Sequence, residues 1–314
     1  MEITVAALMT MTILETTLRA QQAGTPADPI ATFKSSVALV RVSAVVRDRR
    51  GRFVGALTRE DFELLEDGRP RDIADFRQDT SSVSVALLFD VSGSMEARMP
   101  DAREAATHLL SWLTAAGDEA AIFTFDTRLD EVRPFVSGQT TLPDRLSAVR
   151  PFGATSLHDA IAQTAEKVAA RESLRRAVVV FTDGQDTASR LTPSQVSGIA
   201  SAIDVPVYIV GVVPGIDNPM SDASTTSVER SALTGSLSNL AYWTGGEAFV
   251  VSTISERSLM ARRIVDELRH LYLIAFEASG ATGWHPLLVR MRDRSLTVRA
   301  RSGYIAGPSR SISH

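Results

Sequence analysis

The sequence predicts an α/β fold: a mostly parallel central sheet flanked by helices, inserted between N- and C-terminal strands of a small β-sandwich. Three observations carry this. Between Val83 and Arg269, short apolar β-branched runs alternate with stretches of helical periodicity, as in strands joined by crossover helices. Val83–Phe89 and Ala177–Phe181 are continuously apolar, as strands covered on both faces are. The segments before and after this region read only as strands, too few at either end for a stable sheet, so the two ends are expected to pair.

Taken in order, Val37–Arg47 alternates and is β-branched, hence a strand. Asp48-Arg-Arg-Gly-Arg52 is a polar turn, and Phe53-Val54 begins a return strand. Thr58 caps a short helical turn with Asp61 in the capping-box position. Phe62–Glu66 and Ile73–Phe76 flank the turn Asp67-Gly-Arg-Pro70 and are expected to form a hairpin. After Val83–Phe89, a helix is expected over Asp101–Ala116, stopped by Gly117. Strands follow over Glu119–Phe125 and Glu131–Phe135, then helices over Thr141–Val149 and Ser156–Arg171. A strand ends in Thr182-Asp183-Gly184, and a helix over Pro193–Ala202 has Pro193 at its first position. Val205–Val212 is the next strand, and Ser- and Thr-rich Pro214–Ser231 reads as a surface loop. The helix Leu233–Trp243 stops at Gly245-Gly246. The strand Glu247–Val251 and the helix Ser255–Arg269 close the alternating region. Leu271–Phe276, Leu287–Met291 and Leu296–Ala300 are strands separated by turns at Gly280, Gly283 and Asp293.

The chemistry concentrates in Val85-Ala-Leu-Leu-Phe-Asp90-Val-Ser92-Gly-Ser94-Met95, where an apolar strand ends in a D-x-S-x-S loop. One carboxylate and two hydroxyls form a cluster of hard oxygen ligands suited to a small divalent cation such as Mg²⁺. Alone the string is weak, since about one chain of this length in ten holds it by chance. Ser and Asp before a helix also serve as plain N-caps. Position raises its weight, because open α/β sheets bind ligands at the carboxyl ends of their strands.

Two further segments fit. Gly153-Ala-Thr155-Ser-Leu-His-Asp159 is a turn running into a helix, and Arg176–Gly184 is a buried strand ending in Thr182-Asp183-Gly184. Strand, D-x-S-x-S, helix, then a Thr at a loop–helix junction, then a strand ending in T-D-G: this order resembles the von Willebrand factor A domain with its metal-ion-dependent adhesion site, over roughly Ser82–Arg269. The resemblance implies that Ser92 and Ser94 coordinate the metal through their hydroxyls. It implies Thr155 as a third hydroxyl, direct or through water, and Asp90 and Asp183 as holders of metal-bound waters. A carboxylate of a partner protein, from Asp or Glu, would complete the octahedron. Ala154 stands where a second Gly is expected, which bears on loop flexibility more than ligation. Mg²⁺ suits this set and Mn²⁺ also fits, whereas Ca²⁺ prefers more ligands at longer distances. Leu64-Leu-Glu-Asp-Gly68, Trp284-His-Pro-Leu-Leu-Val289 and Val298-Arg-Ala-Arg-Ser-Gly-Tyr304 resemble a bacterial group of exported A-domain proteins common in acidobacteria.

Other chemistry is poorly supplied. There are no cysteines, so no disulfide, thiolate metal site or cysteine nucleophile. The five histidines form no H-x-x-x-H pair, and neither a G-x-S-x-G elbow nor a G-x-x-x-x-G-K loop occurs. An enzyme is therefore not expected. His158 reads as a packing or solvated group on a first helical turn, Asp159 as an electrostatic aid to that helix N-terminus, and Asp126 and Asp186 as turn or rim residues. The net charge of −4 offers no basic field for nucleic acid.

At 314 residues the chain suits two domains. The expected plan is a signal peptide over residues 1–20, a linker over 21–36, N-terminal strands over 37–80, the α/β domain over 82–269, C-terminal strands over 270–306 and a tail over 307–314. Ile3–Leu14 is apolar, too short to span a bilayer but matching a signal-peptide core, with a cleavage point after Ala20. Glu2 without a nearby Lys or Arg departs from that pattern. The chain is expected to be exported, and no other stretch is apolar enough to cross a membrane. Nothing in the sequence indicates the oligomeric state. The functional expectation is a metal-dependent protein-binding module. The alternative is a structural module whose metal only stabilises loops and whose sandwich makes the contacts.

Overall fold

The computed structural model describes residues 39–202, 204–212 and 235–306. The expected signal peptide, linker, loop Pro214–Ser231 and tail lie outside these residues, as do the first residues of the helix expected from Leu233.

The central layer is a six-stranded sheet. It contains β5 (Val83–Asp90), β6 (Glu119–Phe125), β7 (Leu129–Ser137), β8 (Arg175–Thr182), β9 (Val207–Val212) and β10 (Ala248–Val251). Their order is β10-β9-β8-β5-β6-β7, all parallel except the edge strand β7. Every residue of β5 is buried, which explains the apolar run Val85–Phe89 within it. One face is covered by α1 (Met99–Trp112) and α6 (Ile254–Arg269), the other by α3 (Leu157–Ala169), α4 (Pro193–Ala202) and α5 (Ser236–Trp243). From β5 the chain runs to β6 and β7 on one side, then returns to β8 on the other. The strand order thus reverses between β5 and β8, where an open α/β sheet leaves a crevice at its carboxyl ends.

The flanking strands do pair with each other. β1 (Leu39–Arg47) lies between β11 (Tyr272–Glu277) and β13 (Thr297–Ala300), with β4 (Ile73–Gln78) on the far side of β11. A second sheet runs β14-β12-β2-β3, from Gly303–Ala306, Gly283–Met291, Phe62–Glu66 and Arg69–Arg71. Their facing sides share one core that includes Val42, Phe62, Leu64, Ile274, Phe276 and Val289. A buried side chain of this size contributes about 1.5–3 kcal/mol.

Several sequence expectations change in detail. Phe62–Glu66 does not pair with Ile73–Phe76. The positive-φ pair Asp67-Gly68 (φ 51° and 75°) turns β2 straight back onto β3, and β4 crosses to the other sheet. Pro70 is tolerated because β3 is an edge strand. The helix expected over Asp101–Ala116 spans Met99–Trp112; Leu113 leaves the helical region, and the Asp118 carboxylate accepts from Ala115 N at 3.0 Å. The helix expected over Thr141–Val149 shrinks to α2 (Asp144–Ser147), since Pro143 keeps the preceding residue out of the helical region. Phe53 makes one bridge, to Arg47, rather than a strand. Gly283 opens β12 instead of marking a turn, and β14 has no counterpart among the predicted strands.

Arg175 closes the two crossings between sandwich and α/β layer. Its guanidinium donates to Asp79 O and, at 3.0 Å, to Ser81 O on the way in, and to Arg269 O at 2.9 Å on the way out. A second buried network centres on Glu267 of α6, fully buried, which accepts from Arg47 of β1, Arg299 of β13 and Tyr208 Oη of β9 (2.9 Å). Burial disfavours charge on Arg299, yet Glu267, Tyr208 and Glu247 hold its pKa above the ordinary value. Among the described residues no helix is long and apolar enough to cross a membrane.

Candidate functional site

The D-x-S-x-S loop leaves β5 at the crevice. Asp90 is the last residue of β5, pairing with Phe125 of β6, and Ser92 lies two residues on, ahead of a 3₁₀ turn over Gly93–Met95. The Asp90 carboxylate is fully buried: Oδ1 accepts from Ser92 N at 2.9 Å and Oδ2 from Thr182 Oγ1 at 2.7 Å. Burial pushes this carboxyl up to about 6; the nearby Asp183 adds to the rise, and the hydrogen bonds from Ser92 and Thr182 oppose it. Ser92 Oγ and Ser94 Oγ lie 3.2 Å apart.

Thr182 ends β8, and Asp183 follows it, fully buried. Thr182 Oγ1 also accepts from Gly184 N at 3.0 Å, so one hydroxyl shapes the T-D-G turn and anchors Asp90. Gly184 has φ 92°, a conformation that glycine adopts freely.

Thr155 belongs to the loop before α3. That loop meets the first one through Phe152 N to Val91 O (2.9 Å) and Gly93 N to Gly153 O (3.3 Å). It meets the β8 loop through Thr155 N to Thr187 Oγ1 (2.9 Å), and Thr155 O accepts from Thr187 N and Ala188 N, each at 2.9 Å. Thr155 is 3% exposed, whereas Phe152 on the same loop is 84% exposed. All five sequence-predicted residues, Asp90, Ser92, Ser94, Thr155 and Asp183, therefore sit on three loops braced against one another.

The neighbouring candidates have structural work. Asp186 caps α3 by accepting from Leu157 N at 2.9 Å, and its Oδ2 is 2.9 Å from His158 Nδ1, at ion-pair distance without hydrogen-bond alignment. Asp159 accepts from Arg190 N and Leu191 N, fixing the loop after β8 rather than acting only on its own helix. Asp126 accepts from Arg128 N at 2.8 Å, a turn role.

Sequence reasoning missed Arg98. Its Nη1 lies 2.6 Å from Asp183 Oδ2 and 3.2 Å from Ser94 O. The only signal was a cation four residues after Ser94, which means nothing until the β8 loop is placed beside it. A second missed cluster is in the sandwich. His285 Nδ1 meets Asp67 Oδ2 at 2.8 Å and Nε2 meets Ala281 O at 3.1 Å, with the buried Glu66 alongside. Both ring nitrogens face oxygen acceptors, so a protonated imidazolium satisfies them together. The Asp67 hydrogen bond raises the His285 pKa accordingly. Glu66 would be raised by burial, but hydrogen bonds from Tyr304, Ser279 and Arg71 hold it below its usual range. A cavity of about 740 Å³ is lined by Trp243, Trp284 and Ile305; none of the five candidate residues borders it.

Residues 85–185 match the family pattern described as von Willebrand factor type A domain. No protein of the curated set matches the chain in sequence. Among solved structures, it is similar to an aerotolerance-related membrane protein from Bacteroides fragilis at 20% identity, covering 60% of this chain and 98% of that one, TM-score 0.47. It is also similar to BatB from Bacteroides thetaiotaomicron, at 18% identity over 59% of this chain and 98% of that one, TM-score 0.47. A von Willebrand factor type A protein from Catenulispora acidiphila is 13% identical over 87% of this chain and 76% of that one, TM-score 0.46. The fold is the α/β fold of a von Willebrand factor A domain, with two small antiparallel sheets built from the flanking strands.

Proposed function

We propose that this chain is an exported protein-binding module whose site holds a divalent cation, Mg²⁺ or Mn²⁺, completed by an Asp or Glu of a partner protein. The observation that carries the reading is the convergence of two hydroxyls and two buried carboxylates at the sheet's reversal point. Ligands about 2.1 Å from an ion on adjacent octahedral positions are about 3 Å apart. The 3.2 Å between Ser92 Oγ and Ser94 Oγ fits that spacing. Arg98 balances one of the two fully buried carboxylates, Asp90 and Asp183, which leaves one negative charge for a cation to meet.

In this reading Ser92, Ser94 and Thr155 supply hydroxyl ligands, and Asp90 and Asp183 orient bound water and balance charge. The ion supplies an electrophilic position for an incoming carboxylate. Thr182 keeps Asp90 aimed, and the Gly93–Gly153 contact keeps the Thr155 loop in place. Exposed Phe152, three residues from Thr155, offers the partner an apolar anchor beside the charged centre. The five candidate side chains are hydroxyls and carboxylates, a set suited to holding a cation rather than to relaying a proton. Export is supported by the apolar run Ile3–Leu14.

The test is calorimetry with Mn²⁺ on wild type and Ser92→Ala, followed by capture from an envelope extract with and without Mg²⁺. Saturable metal binding lost in Ser92→Ala, and Mg²⁺-dependent capture lost with it, are expected. Capture indifferent to both would overturn the reading. Stability that collapses with EDTA while capture persists would favour a metal that only stiffens the loops.

A further inference from the structure

Arg98 stands at the N-terminus of α1, where the helix dipole disfavours a cation. Something must compensate, and Asp183 does. Arg98 Nη1 is 2.6 Å from Asp183 Oδ2, and the guanidinium is mostly buried. Asp183 is fully buried, and among the described residues its other oxygen receives a long 3.4 Å bond from Gln185 N. Asp90, by contrast, is satisfied by Ser92 N and Thr182 Oγ1. The guanidinium also reaches Ser94 O at 3.2 Å, so it bridges the same two loops that carry candidate metal ligands.

We infer that Arg98 is a tethered cation that holds Asp183 in the metal-free protein and competes with the divalent ion for it. The inference rests on the proposed metal-binding reading and adds what sets the affinity of that site. With Arg98 in place, the two carboxylates and the guanidinium sum to −1 rather than −2, so the attraction for a dication is weaker. Asp183 Oδ2 can turn to metal-bound water only when the guanidinium leaves it. Arg98 therefore keeps the empty loops folded and sets a threshold concentration for metal, and hence for partner binding.

The experiment compares wild type, Arg98→Gln and Arg98→Lys as full chains. Calorimetry gives the Mn²⁺ dissociation constant, and thermal melting is run metal-free and at saturating Mn²⁺. Arg98→Gln is expected to bind Mn²⁺ tighter by about tenfold or more. Its metal-free melting point is expected to fall, with the deficit shrinking at saturation. Arg98→Lys, which keeps the charge but loses the planar fork, is expected between the two. If Arg98→Gln fails to fold, the Lys variant carries the comparison. Equal or weaker Mn²⁺ binding by variants that fold overturns the inference and leaves the metal reading standing. No Mn²⁺ binding by any of the three proteins ends the metal reading itself, and this inference with it.

Discussion

Thr182 Oγ1 donates a 2.7 Å hydrogen bond to Asp90 Oδ2, joining the last residue of β8 to the last residue of β5. The bond spans the point where the strand order reverses, and it fixes the direction of a carboxylate that burial would otherwise leave poorly satisfied. Thr182→Val keeps the shape and removes the hydroxyl. Leaving Asp90 Oδ2 and Gly184 N unpaired is expected to cost about 1–3 kcal/mol in urea unfolding. Mn²⁺ affinity should drop as well. A variant as stable as wild type would mean that the bond does not organise the site.

Phe152 separates partner contact from metal binding. At 84% exposed it contributes little to the core, so Phe152→Ala should leave the melting point and Mn²⁺ affinity unchanged. Capture of the partner should weaken by about tenfold if this ring is an anchor. Undiminished capture would place the contact surface elsewhere.

Glu267 collects hydrogen bonds from three directions, accepting from Arg47, Arg299 and Tyr208. Glu267→Leu strands two guanidinium groups in a largely dry setting. Thermal or urea unfolding should register a loss of about 3–5 kcal/mol, the usual cost of breaking a buried pair from one side. A loss under about 1 kcal/mol would indicate that water or Glu247 takes over the arginines.

His285 makes the sandwich sensitive to pH. Its folded pKa is raised by Asp67, so its stabilisation is complete below the unfolded value of about 6.5 and fades as pH climbs through the folded value. Between pH 6 and pH 9 the wild-type melting point should fall by about 2 °C or more relative to His285→Asn. Parallel curves for the two proteins would remove His285 from the linkage.

Gly246 tests close packing. A Cβ there would overlap the carbonyl of Val207, and backbone cannot step aside as a side chain can. Gly246→Ala is expected to cost at least about 2 kcal/mol, read by urea unfolding. Gly138→Ala, with open space and only a positive φ of 71° to strain it, should cost less.

What the sequence made legible was local or periodic. β5 and β8 were readable because both faces are buried, leaving the apolar runs Val85–Phe89 and Ala177–Phe181. Asp90, Ser92 and Ser94 were readable because three hard-oxygen side chains crowd into five residues. Thr155 and Asp183 followed from motif order. Pairings between distant segments were harder. Ile73–Phe76 looks like the natural hairpin partner of Phe62–Glu66, yet the tight Asp67-Gly68 turn commits β2 to β3 first. Arg98 was invisible for the same reason: its meaning lies in Asp183, 85 positions away.

The Arg175 clamp has a mechanical consequence. It ties the outgoing and returning crossings together through Asp79, Ser81 and Arg269. Leu39 and Ala306, the first and last residues described, border one cleft on the sandwich. Strain entering the α/β layer through either crossing meets this guanidinium rivet. Asp90 and Asp183 stand at the carboxyl ends of the strands that begin at Val83 and Arg175, the opposite ends from the rivet, so the three loops keep their shape when the anchoring strands are strained.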